Sequence, residues 1–170
     1  MSDIAAMTPG ELGEVAAFVN DGWRAAYAGV LDDEFLANLT TDDQAARIRR
    51  HLDMGVRAWV VRDTRLAGMA MAGPSLEEFF ESDGELDMIY VRPDLIGAGM
   101  GHELFAHACR HLVEAGFGAV VLDIFVGNER AMRFYRRHGL RVVRHTGIEM
   151  AGRRYPLDIM RGRLVAESHA

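Results

Sequence analysis

The chain predicts a single-domain α/β fold: a mixed sheet, mostly antiparallel, with a central parallel strand pair and helices on both faces. Three observations carry this. The 170 residues suit one domain with one core. The apolar pattern changes period along the chain and gives the order helix, helix, three strands, helix, strand, helix, two strands. One strand-helix-strand step, from residue 85 to residue 126, needs a crossover, so its two strands are parallel. The strands close together in sequence pair antiparallel.

Residues 8–22 read as the first helix. Thr8 can cap it, Pro9 suits its first turn and Glu11 completes a capping-box spacing. Leu12, Val15, Ala16 and Val19 recur at helical period. Residues 33–53 form a second helical region, with Thr40 or Thr41 opening its second half. Residues 58–62 and 66–72 read as strands around the polar turn Asp63-Thr64-Arg65. A loop over 74–84 leads into a third strand, 85–91. The clearest helix spans 99–115: Leu104, Phe105, Ala108, Cys109, Leu112 and Val113 form one stripe, and Gly116 stops it. A strand at 119–126, a short helix at 129–138 and strands near 141–150 and 154–161 complete the chain. Ala151-Gly152 makes the last turn.

Composition narrows the function. Hydrophobic residues are 49% and charged residues 26%, ordinary for a globular protein. No apolar run approaches the ~18–20 residues that cross a bilayer, and Met1 to Gly10 lacks a basic cluster, so neither a membrane partner nor a signal peptide is expected. The expected location is cytoplasmic. A net charge of −6 disfavours nucleic acid as a partner. The single cysteine, Cys109, reads as a buried helix residue and allows neither an intrachain disulfide nor a cysteine-based metal cluster. His107 and His111 read as solvated, and no metal is expected. All 19 basic residues other than histidine are arginine; there is no lysine.

The strand Leu86-Asp87-Met88-Ile89-Tyr90-Val91 runs through Arg92-Pro93 into Ile96-Gly97-Ala98-Gly99-Met100-Gly101 and the strongest helix. Glycines between a strand and a helix let a ligand approach the backbone, and the free N–H groups of the helix start favour an anion such as a pyrophosphate. The loop lacks the GK[ST] of a P-loop. His102 stands where a dinucleotide fingerprint needs glycine.

Val91-Arg92-Pro93 with Gly97-Ala98-Gly99-Met100-Gly101 resembles the acetyl-CoA loop of the GNAT superfamily, written Q/R-x-x-G-x-G/A. Gly99 and Gly101 match its last two fixed positions. Ile96 stands where the family has Gln or Arg, so weaker or altered CoA binding is expected. Asn128, Ala131, Phe134, Tyr135 and Gly139 are similar to the family's later N-x-x-A-x-x-F-Y-x-x-x-G pattern. Trp23-Arg24-Ala25-Ala26-Tyr27-Ala28-Gly29 resembles a stretch of many small bacterial members. The resemblance covers residues 58–161 best. It implies an acetyl-CoA-dependent N-acetyltransferase, and places CoA against Ile89, Tyr90, Val91, Ile96, Gly97, Ala98, Gly99, Met100, Gly101, His102, Asn128, Ala131, Phe134 and Tyr135.

The chemistry sets further roles. A lysine-like amine has a pKa near 10.4 and needs a base to take its proton. The departing thiolate needs an acid, and the resemblance gives that role to Tyr135. Glu85 lies six residues before Val91, as does the catalytic glutamate of the family's histone-acetylating members, and that resemblance makes it the candidate base, with Asp87 its rival; a bulge in the family strand leaves the choice open. Trp23 and Tyr27 share one helix face and are candidate acceptor contacts, through cation–π attraction to an ammonium, with packing on the sheet as their other reading. The expected partner is a small-molecule or peptide amine, acetylated by direct attack in a ternary complex. A homodimer is left open. The rival function is a degenerate module that binds acetyl-CoA without turnover.

Overall fold

The computed structural model describes residues 2–165. At its centre is a seven-stranded sheet of order β1-β2-β3-β4-β5-β7-β6. The strands are β1 (Ile4–Ala6), β2 (Arg57–Arg62), β3 (Leu66–Pro74), β4 (Gly84–Val91), β5 (Ala119–Phe125), β6 (Arg141–Met150) and β7 (Arg153–Arg163). The helices are α1 (Leu12–Ala26), α2 (Asp33–Ala37), α3 (Thr41–Asp53), α4 (Met100–Glu114) and α5 (Glu129–Arg137). β4 and β5 are parallel and every other neighbouring pair is antiparallel, as expected from the sequence.

The sheet separates two main clusters of apolar side chains. On one face Leu104, Phe105, Ala108 and Leu112 of α4 pack with Leu86, Val120, Leu122 and Ile124. On the other, Val15, Ala16 and Val19 of α1 and Ile48 of α3 pack with Met69, Met71 and Met88. Strand alternation supplies both sets, because successive side chains leave a strand on opposite faces. A smaller cluster joins Leu31 and Leu36 to Phe125, Tyr155 and Leu157 beside α2. α1 lies so close to the sheet at Gly22 that a Cβ there would come 2.6 Å from Cδ1 of Tyr90.

The structure corrects the sequence expectations in several places. β1 is a seventh strand, paired as Ile4↔Val61, Ala5↔Val60 and Ala6↔Trp59; three residues are too few for alternation to register. Residues 9–11 form a 3-10 turn, and α1 itself runs from residue 12 to residue 26. The region 33–53 is two helices, because each half has its own cap. Asp32 accepts from the backbone N–H of Glu34 and Phe35 at 3.0 and 3.3 Å, and Thr40 Oγ1 accepts from that of Asp43 at 3.1 Å. His107 and His111 are only partly solvated. Both pack edge-on against Trp59, with ring centres 5.1 and 4.9 Å away, and burial lowers their pKa values. Cys109 is half-buried rather than buried, and desolvation pushes its thiol up to about 11.

Candidate active site

β4 and β5 pair only at their starts, Gly84↔Val120 and Glu85↔Val121. A bulge contributes to the parting. β4 pairs with β3 as Leu86↔Ala72 and then Met88↔Met71, leaving Asp87 as the extra residue. Leu86, Ile89 and Val91 therefore face α4, and Met88 and Tyr90 face α1 and α3. Beyond residue 86 the β5-facing flank of β4 has no strand beside it.

A cleft of about 380 Å³ opens there, chiefly on the α4 side, and reaches through to Gly22, Ala25 and Ala26 of α1. Ile89, Tyr90 and Val91 of β4, Ile96, Gly97, Gly99, Gly101 and His102 of the loop and first turn of α4, and Asn128, Ala131, Phe134 and Tyr135 of α5 all line it. Gly99 caps α4 with φ +95°, a left-handed conformation that a side chain strains. No heavy atom within 4 Å would meet a Cβ there, so the loop's inner side is open. Asn128 Oδ1 caps α5 by accepting from the backbone N–H of Ala131 at 3.3 Å. The phenol of Tyr135 is 7% exposed, and burial raises its pKa far above the ordinary tyrosine range, so it keeps its proton.

A second cavity, about 500 Å³, lies on the opposite face, between β4, β5 and helices α1 to α3. Tyr27, Asp87, Met88, Tyr90 and Asp123 line both spaces. They form the junction through the sheet.

The acetyltransferase (GNAT) family model matches residues 18–140, most of the chain and all of this geometry except the last two strands. The chain belongs to the GNAT acetyltransferase family. It is 27% identical over 128 residues to the peptidyl-lysine N-acetyltransferase YjaB of Escherichia coli K12, covering 69% of this chain and 77% of that protein. Its fold is shared by a ribosomal-protein-alanine N-acetyltransferase of Brucella melitensis, at a TM-score of 0.74 and 22% identity over 95% of this chain and 99% of that one. It is shared also by the acetyltransferase yncA of Salmonella typhimurium with its cofactor acetyl-CoA, at 0.72 and 18% over 100% and 98%.

Charge in this acetyltransferase concentrates at the junction. Glu85 is 8% exposed; desolvation, reinforced by Asp123 and Asp87, pushes its carboxyl up to about 7. Asp123 is open to the cleft but hemmed in by protein elsewhere, and that burial, with Asp87 nearby, raises its pKa too. Asp87 Oδ2 sits 2.8 Å from Nδ1 of His51 on α3. At the phosphate end, the loop's Arg92 is engaged by Asp63 at 2.7 Å and Asp94 at 2.6 Å. His102 and Arg130 line the cleft beside the family position that Ile96 occupies. His138 Nδ1 lies 2.8 Å from the carbonyl of Phe134 and must donate to it; its Nε2 then accepts from Nδ1 of His102, also at 2.8 Å. That leaves Nε2 of His102 free.

Not every candidate reaches the acetyltransferase cleft. Ala98 and Met100 line neither space. The Ala98 N–H bonds back to Leu95, and Met100 packs toward Gly68. Glu85 lines neither space either, because Ser75 Oγ and the Leu76 N–H hold its Oε2 at 3.1 and 2.7 Å. Trp23 and Tyr27 do come together, rings 5.3 Å apart and edge-on, but Trp23 lines only the second cavity. A cation already sits over Trp23: the Arg47 guanidinium, 5.4 Å from the ring centre. That weakens the expectation of an ammonium there. Sequence reasoning missed Asp123. Its signal was available, a lone carboxylate in the apolar strand Ala119–Phe125.

Proposed function

We propose that this acetyltransferase moves acetyl from acetyl-CoA to a primary amine of a small molecule or peptide, by direct attack in a ternary complex. The observation that carries the reading is the pair of cavities meeting through the sheet at Tyr27, Asp87, Met88, Tyr90 and Asp123. Two reactants enter from opposite faces and meet without exchanging places, so no acyl-enzyme is needed. Cys109, its thiol held up to about 11 and placed mid-helix, is a poor nucleophile for one.

In this reading the pyrophosphate rests on the N-terminus of α4, with Arg130 supplying donors where Ile96 has none and His102 lining the same end of the cleft. The pantetheine arm follows the free flank of β4 at Ile89 and Val91 and passes between Asn128, Ala131 and Phe134. The thioester then reaches the junction. Asp123 meets the incoming ammonium, and the proton passes through water to Glu85, which lines neither cavity but whose pKa of about 7 suits a base at neutral pH. The amine attacks the thioester carbonyl, the C–S bond breaks, and the Tyr135 hydroxyl protonates the thiolate.

The test is Tyr135→Phe, followed by release of free CoA with a panel of amines. Turnover is expected to fall ~10²–10⁴-fold, the span of a general acid, with acetyl-CoA binding unchanged. Equal turnover at neutral pH would refute the role of Tyr135.

A further inference from the structure

We propose that the acceptor is a free α-amino acid with an apolar side chain, its ammonium held by Asp123 and its carboxylate by Arg47. This rests on the acetyl-transfer reading above and narrows it. The cavity of about 500 Å³ keeps one cation and one anion apart. Arg47 is near enough to draw down the pKa of Asp123, yet neither forms an ion pair with any described residue. The other charged groups facing the cavity are committed or peripheral. Asp43 accepts from Thr40 at 2.7 Å, Asp87 pairs with His51, and Arg50 stands at the exposed rim.

A second, independent observation points the same way. Among the described residues, four buried side-chain polar atoms have no hydrogen-bond partner: Asn20 Oδ1, Trp23 Nε1, Gln44 Nε2 and Arg47 Nη1. All four residues line this cavity. Asn20 is 2% exposed and Gln44 7%, so bulk water does not serve them. A buried polar group without a partner is costly, so four such residues around one cavity favour a polar ligand that small side-chain rotations bring within reach. Three of the four atoms are donors, one of them on a guanidinium. A carboxylate is the group that accepts from such a set, often from two guanidinium nitrogens at once. A zwitterion with its charges reversed relative to Arg47 and Asp123 fits both ends. Phe35, Leu39, Ile148 and Leu157 line the remaining wall and suit an apolar side chain.

The test pairs each of leucine, methionine, phenylalanine and tryptophan with its decarboxylated amine and its carboxamide. Free CoA is measured at saturating acetyl-CoA. The amino acids are expected to exceed both partners in kcat/KM by about 10–100-fold, the worth of a hydrogen-bonded charge. Arg47→Met should raise KM for the amino acids by a similar factor, leave KM for acetyl-CoA and for the decarboxylated amines alone, and so erase the preference. Arg47→Lys should retain part of it. Decarboxylated amines that react as well as the acids with the unaltered enzyme would overturn the proposal and spare acetyl transfer, since the unpaired groups would then hold only water. A peptidyl lysine as the sole acceptor would overturn it equally. No CoA release with any acceptor, despite acetyl-CoA binding, would overturn both readings. The comparison among ligands needs no variant, so a poorly folding Arg47→Met leaves it intact.

Discussion

Replacing Glu85 by glutamine removes a buried carboxylate, set back from the junction, whose proton affinity is worth a definite amount of stability. Its pKa rises from 4.5 to about 7 on folding, chiefly because the carboxylate loses water. The folded chain therefore binds more protons than the unfolded chain between those two values, and stability falls as pH rises through that window. Below 4.5 the carboxyl is neutral in both states and costs nothing. Above 7 it is charged in both, and the interval corresponds to about 3.4 kcal/mol at 1.36 kcal/mol per pH unit. Glutamine keeps the shape, and its one carbonyl oxygen can accept from both the Leu76 N–H and the Ser75 hydroxyl, as Oε2 does now. A net gain of about 2–3 kcal/mol at pH 8 is expected, which for a domain of this size is a rise in Tm of about 5–10 °C. Urea unfolding of both proteins from pH 4.5 to 8.5 tests this. The difference should start near zero and grow through the window. A difference that stays flat with pH, or an unaltered protein that is the more stable at pH 8, would refute the account of Glu85. The same variant should lose turnover, so that what weakens the enzyme strengthens the fold.

Four further outcomes follow from the site. Asp123→Asn should cut kcat/KM for ammonium-bearing acceptors at least tenfold and leave the acetyl-CoA KM unchanged; a loss shared by both substrates would place Asp123 on the donor side instead. Acetyl-CoA at 100 times its dissociation constant should stabilise the protein by about 2.7 kcal/mol in a thermal-shift titration, and ATP should do much less. Gly99→Glu should abolish that shift, because it strains a φ of +95° and sets a negative charge where the phosphates rest; a retained shift would move the phosphate site. Tyr27→Leu should raise the acceptor KM, since the lost hydroxyl faces that of Tyr90 at 3.4 Å, and a lowered Tm with both KM values unchanged would make Tyr27 a packing residue only.

In the proposed site, the cleft assigned to the donor was legible because its chemistry is written in short local patterns. A strand, a glycine loop and a helix in succession state their geometry within a dozen residues, and Ile89, Gly99, Gly101 and Tyr135 all line the cleft. The acceptor half was not legible, because it is assembled from distant segments. Asn20 on α1, Gln44 and Arg47 on α3 and Asp123 on β5 share no periodicity, and only the fold brings them to one cavity. Glu85 shows the limit from the other side. Its place on the strand was readable, but the loop contacts at Ser75 and Leu76 that draw it out of the cleft depend on how residues 74–84 close over it. β1 escaped for a simpler reason: it is decided by three residues.

The two-residue contact between β4 and β5 makes the sheet a pair of leaves joined along a short spine. One leaf is β1 to β4 and the other is β5, β7 and β6. An exposed strand edge on the outside of a sheet recruits other chains, and proteins guard against it with charge or bulges. Here the unfilled edge faces inward. A foreign strand cannot lie along it without driving side chains into α4 on one side and α1 on the other. A thin chain of amides and methylenes meets no such obstacle. The fold can thus leave backbone groups hungry at its centre without becoming adhesive at its surface, and shape alone screens what is allowed to satisfy them.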